Sequence, residues 1–221
     1  MRCYGSPSLA VLMLCLLSLD ALGHPSEEVW PDTPLARAQA LALLQTLNAD
    51  LLSHDSATLT LERWCGVHHM ASPARVTAQR VHGDDKSLPP EWRTQLAIDA
   101  SEPVKYRRVQ LKCGDHVLSE ADNWYLPNRL TAAMNRQLDS SDMPFGKVVQ
   151  SLHFRRKTLN ADLLWSPLPD GWELHRAQTR PTSGALVIPH FVLQHRALLF
   201  AGDGRPFSAL VETYTDQVLA F

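Results

Sequence analysis

Between Thr33 and Trp64 the apolar residues recur every three or four positions, and from Arg75 onward they recur at every second position. This switch of period dictates helices first and strands afterwards. Leu35, Ala38, Leu41, Leu44, Leu47, Leu51 and Leu52 form one apolar stripe, and Thr33 with Pro34 supplies a cap and a first helical residue. The pattern predicts a long amphipathic helix. Asp55-Ser56 then offers a second cap, and Leu59 and Trp64 mark a shorter helix that Gly66 can end.

Downstream, Val76 and Ala78 alternate with polar neighbours, and after Pro89-Pro90 the runs 95–99 and 104–113 read as strands. Gly114-Asp115 turns the chain into 117–126, which makes an antiparallel hairpin closed by Pro127. Asn128 can cap a helix carrying Leu130, Met134 and Leu138, and the segment Asp142 to Gly146 precedes another short helix. A second hairpin joins 191–200 to 207–214 through Gly202-Asp203-Gly204, while 166–184, rich in turn formers, reads as an exposed loop. Strands in hairpins with helices gathered at the start and middle predict a single α+β domain with an antiparallel sheet.

Residues 1–23 stand apart. Arg2, the apolar stretch 9–19 and Ala21-Leu22-Gly23 have the layout of a secretory signal peptide, so the expected folding unit is 24–221, in the periplasm or secreted. Beyond that segment no apolar run approaches the ~20 residues of a membrane span, so no stable membrane insertion is expected after signal removal. Removal of the signal leaves Cys65 and Cys113 as candidates for one disulfide. On the chain-entropy model a loop of that length makes a bridge worth about 4 kcal/mol.

With 21 Lys and Arg against 23 Asp and Glu, and a net charge of -2, the chain offers no basic field for nucleic acid. Dinucleotide, Walker, zinc-protease and nucleophile-elbow motifs are absent. His68-His69 are adjacent and cannot face one metal, so neither metal nor cofactor is expected. The run Arg155-Arg156-Lys157 could meet an anion, but a solvated charged face is the preferred reading.

Four segments in chain order resemble the chorismate lyase family, which cleaves chorismate to 4-hydroxybenzoate and pyruvate. They are Leu52-Ser53-His54-Asp55-Ser56-Ala57 with Leu61-Glu62, the strand Arg107-Arg108-Val109-Gln110-Leu111, the turn Met143-Pro144-Phe145-Gly146, and Gly204-Arg205-Pro206 with Val211-Glu212-Thr213. The resemblance spans roughly residues 33–217 and implies a six-stranded antiparallel sheet, helices packed over it and a buried ligand cavity beneath mobile helical flaps. The same fold occurs in the ligand-sensing domains of GntR-type transcription regulators, so the likeness speaks for fold before reaction.

Carried over by position, the resemblance places a carboxylate-binding arginine at Arg107 or Arg108, a catalytic glutamate at Glu212, and backbone contacts to ligand at Ala57 and Phe145. Strand alternation lets only one arginine face the cavity. Arg107 shares its face with Val109 and Leu111 and is preferred, whereas aligning the nearby cysteine selects Arg108. An arginine fork can hold a ring carboxylate, and a desolvated Glu212 could hold a raised pKa and hydrogen-bond the ether or product hydroxyl oxygen as the enolpyruvyl group leaves. An alternative pairs Glu212 with Arg107 across the sheet. The expected ligand is a small aromatic or cyclic carboxylate and the expected state a monomer. The chain is then either a cofactor-independent lyase or a non-catalytic binding or sensing module.

Overall fold

The computed structural model describes residues 29–83, 85–174 and 184–221. The expected signal segment, 1–23, and part of the expected loop, 175–183, lie outside the described residues. Thr33 caps helix α1 (Pro34–Ser53) by accepting the Ala36 amide at 3.1 Å, and Ala40, Leu44, Leu47 and Leu51 form its buried stripe. Ser56 caps α2 (Ala57–Val67) through the Leu59 amide at 3.3 Å. Gly66 does not end this helix; it lies inside it, and His68 is the C-cap.

Strand β1 (Val76–Val81) is followed by helix α3 (Pro90–Leu96). The strand expected over 95–99 is therefore not formed. Pro90 is pre-set for a first helical turn, Trp92 and Leu96 fall four apart on one face, and Ala97 closes the helix in the left-handed region at φ 51°. Strands β2 (Lys105–Cys113) and β3 (His116–Tyr125) form the first hairpin. Helix α4 (Ala132–Ser140) takes its cap from Thr131 rather than Asn128, which sits in a short 3-10 turn at Pro127–Arg129. After the four-residue α5 (Phe145–Val148) come β4 (Arg155–Leu163), β5 (Phe191–Phe200) and β6 (Pro206–Thr215).

The six strands form one wholly antiparallel sheet in the order β1-β2-β3-β6-β5-β4. On its inner face lie α1, α2, α4 and α5, which pack in two clusters around Leu44, Leu61 and Tyr214 and around Leu138, Val149 and Phe207. Helix α3 covers part of the outer face by setting Trp92 and Leu96 against Leu198 and Ala209. A disulfide joins Cys65 near the end of α2 to Cys113 at the end of β2, across 6.4 Å between Cα atoms. No described helix is long and apolar enough to cross a membrane.

Candidate functional site

Period-two alternation on β2, β3 and β6 aims one row of side chains at the helices, and those rows floor a small space. Its volume is about 40 Å³. The floor is Arg107, Val109 and Leu111 from β2, Ala121 and Asn123 from β3, and Leu210 and Glu212 from β6. Arg156 of β4 closes one side, and the roof is the start of α2 from Asp55 to Thr58 together with Phe145 and Gly146 of α5. A Cβ built on Gly146 would stand 3.1 Å from Ser56 Oγ, so a glycine there lets the two roof elements meet.

Arg107 lines this space and Arg108 does not: Arg108 projects from the outer face and pairs with Glu120 at 2.9 Å. Arg107 is only 2% exposed. Its Nη2 donates to the Met143 carbonyl at 3.3 Å, its Nε has no partner among the described residues, and no carboxylate stands within ion-pair distance there. Burial, reinforced by the charge of Arg80, pulls its pKa down to about 10. Directly across from it on β3, Asn123 receives the Ser208 hydroxyl on Oδ1 at 2.5 Å, which leaves the amide nitrogen as a second donor in the lining. The first amides of α2 and α5, at Ala57 and Phe145, border the same space and belong to the groups a helix leaves unbonded. The Phe145 ring lies between Tyr125 and Phe207, 5.4 and 6.2 Å away between centroids.

Glu212 does not pair with Arg107. Register places Arg107 opposite Asn123 and Asn123 opposite Leu210, whereas Glu212 stands opposite Ala121, in the row of Val109. The two are thus two strands and two residues apart, roughly 12 Å at the backbone. Instead Arg156 donates to Glu212 Oε2 at 2.6 Å, and the Tyr214 hydroxyl donates to the same oxygen at 3.2 Å. Glu212 Oε2 thus accepts from both groups at once. Burial works against the Arg156 charge, but Glu212 and Tyr214 outweigh it and its pKa is raised. Burial and Glu212 together raise that of Tyr214, which keeps its proton.

Arg156 corrects the reading of 155–157 as a solvated face: Arg155 and Lys157 are exposed, but the side chain between them is almost wholly covered. No local signal in the run marks Arg156, because both its neighbours are exposed and its partner lies 56 positions away. Asn123, by contrast, is legible as a polar residue two positions from Ala121 on the inward face of β3. His195, opposite Glu212 on β5, is fully buried, bonds Asn48 at 2.8 Å through Nε2, and has its pKa lowered to about 4 by burial and by Arg156. Among the described residues no group of three His, Cys, Asp or Glu is placed to hold a metal.

No family model matches the chain. Among solved structures it is similar to the effector domain of PhnF from Mycobacterium smegmatis (TM-score 0.46, 13% identity, 73% of this chain and 89% of that one). It is also similar to the ligand-binding domain of a putative GntR-family regulator from Bordetella bronchiseptica (TM-score 0.40, 19% identity, 63% and 85%). A third is the possible transcriptional regulator YydK from Bacillus subtilis (TM-score 0.38, 15% identity, 63% of this chain), of which the chain spans only 57%. In sequence it is 53% identical over 197 residues, 89% of this chain and 83% of the relative, to the uncharacterized protein y4mC of Sinorhizobium fredii (strain NBRC 101917 / NGR234). The chain belongs to the family of that protein.

Proposed function

We propose that this protein reversibly binds a small organic carboxylate, an aromatic or cyclic acid, with Arg107 as its anchor. The observation that carries this reading is the buried Arg107 guanidinium, which faces the cavity with Nε unpaired and no carboxylate beside it. A buried cation whose nearest charge support, from Asp139, acts only from beyond ion-pair distance is costly, and an incoming carboxylate with two parallel bonds to it removes that cost. Asn123 and the first turns of α2 and α5 add neutral donors at the same end.

A space of about 40 Å³ holds water molecules rather than a ring, so binding requires the roof to lift. Asp55 holds the head of α2 to β4 by accepting the backbone amide of Arg156 at 2.7 Å, while Lys147 of α5 ties the two roof elements together through Glu62 of α2 at 2.5 Å. The presence of Glu212 in the same cavity supports a second reading, cleavage of chorismate to 4-hydroxybenzoate and pyruvate. On either reading residues 1–23 export the protein, and the Cys65–Cys113 bond suits an oxidising compartment.

Titration calorimetry of the purified protein with benzoate and 4-hydroxybenzoate tests the proposal. Binding that drops at least ~100-fold in Arg107→Ala is expected; no binding, or binding indifferent to that substitution, overturns it. Pyruvate released from chorismate by the wild type and not by Arg107→Ala would establish the lyase reading.

A further inference from the structure

We infer that the outward face of α1 is the contact surface for a second copy of this chain, the two helices packing antiparallel in a two-fold dimer rather than the monomer expected from the sequence. Of the 20 residues of α1 only Arg37 and Asp50 are charged. One face, with Ala36, Ala40, Leu44, Leu47 and Leu51, is buried against the rest of the domain. The opposite face carries Leu35, Ala38, Ala42, Ala49 and Leu52, all exposed, Leu35 to 69% and Leu52 to 49%. A helix that keeps one side in water shows charges there, and one that is apolar on both sides is covered on both sides. No residue of α1 lines the carboxylate cavity, so this surface is separate from it.

The surface is shaped to meet its own copy. Beside the ridge of Leu35, Ala42 and Thr46 runs a groove of about 660 Å³, walled by Trp30, Leu43 and Phe221, whose lining among the described residues includes no charged side chain. A ridge next to a hollow on one face suits an isologous contact, in which each copy sets its ridge into the groove of the other. The polar groups there are turned back onto the helix: Thr46 Oγ1 donates to the Ala42 carbonyl at 2.8 Å, and Asn48 Nδ2 to Gln45 Oε1 at 3.2 Å. Covering them leaves neither donor unmet. Charge favours one direction. The apolar span 35–52 has its midpoint between Leu43 and Leu44, and Arg37 and Asp50 stand equally far from it. Their side chains, 29% and 31% exposed and paired to Asp32 and Arg63 within the chain, lie at the rim of the face. An antiparallel copy centred there brings the Arg37 end of each helix level with the Asp50 end of the other and opposes the two helix dipoles, whereas a parallel copy aligns like with like.

Sedimentation velocity of the purified protein over a ~100-fold range of micromolar concentration is expected to show a reversible dimer. Ala42→Arg and Ala49→Arg, at exposed positions that leave the buried stripe intact, should each raise the dimer dissociation constant at least ~100-fold, while the thermal unfolding of the dilute protein stays that of the wild type. Cross-linking reads the direction. Ala38 and Ala49 are equally far from the midpoint, so an equimolar mixture of Ala38→Cys and Ala49→Cys should oxidise to a linked dimer. Either variant alone should not, because its two introduced thiols would lie about 16 Å apart along the axis. A monomer at every concentration, whether free or carried down by neutral lipid vesicles, overturns the contact, as does a dimer that survives both arginine substitutions. Linkage within either cysteine variant alone, or none in the mixture, overturns the antiparallel direction.

Discussion

Arg156 Nη2 lies 2.6 Å from Glu212 Oε2 with the two side chains 3% and 10% exposed, so one charge of an edge strand neutralises one charge of the sheet interior. Each partner is tolerable only because of the other. Arg156→Ala should therefore destabilise the fold by about 3–5 kcal/mol, whereas Arg156→Met with Glu212→Leu should fall within about 1 kcal/mol of wild type. Urea denaturation of the three proteins measures both.

Arg107 is the opposite case, a buried cation with no such partner. Arg107→Met should raise stability by about 1–2 kcal/mol while eliminating benzoate binding, the trade expected of a residue retained for ligand and against the fold. Its pKa of about 10 lies below the ordinary arginine value, so carboxylate affinity should hold constant from neutral pH and weaken as pH rises through about 10. Affinity measured against pH checks the second point and denaturation the first.

His195 sets an acid limit. Its folded pKa of about 4 lies below the unfolded value near 6.5, so the unfolded chain takes up a proton that the folded chain refuses. Stability is fully present above about pH 6.5 and declines as pH falls toward 4. Replacing His195 with Gln, which can still meet Asn48, should flatten the slope of unfolding free energy in that window.

The disulfide closes a long loop, and replacing Cys65 and Cys113 together with alanine should cost about 2–4 kcal/mol. Denaturation with and without reductant should show the same loss in wild type and no further loss in the double variant.

The legible parts of the site lie where alternation is regular. Along 107–113 one face carries Arg107, Val109, Leu111 and Cys113, and this regular row sets Arg107 beside apolar neighbours in the sequence itself. Strand β4 defeats the same logic. A bulge between Thr158 and Asn160 moves the covered positions from even to odd numbers, and its edge position leaves Arg155 and Lys157 in water, so the whole run looks solvated. The partner that gives Arg156 its meaning lies 56 positions away, a separation that no local pattern reports. The strand expected over 95–99 rests on the alternation of Leu96 and Ile98, a two-residue coincidence that Pro90 and the Trp92–Leu96 spacing override. His195 was hidden by sitting in a strand whose neighbours, Leu193 and Ala197, are ordinary core residues.

The Cys65–Cys113 bond stitches the far end of α2 to the strand that carries Arg107, about two helical turns from the residues that cover the cavity. Such a helix cannot rise bodily from the sheet; it can only tilt about its stitched end. On the proposed reading the opening would be a wedge, narrow at Cys65 and wide at Ser56, with its mouth where Asp55 touches the backbone of Arg156. Ligand length would then be gauged against a stop at one end, and a bulky substituent admitted only where the wedge gapes.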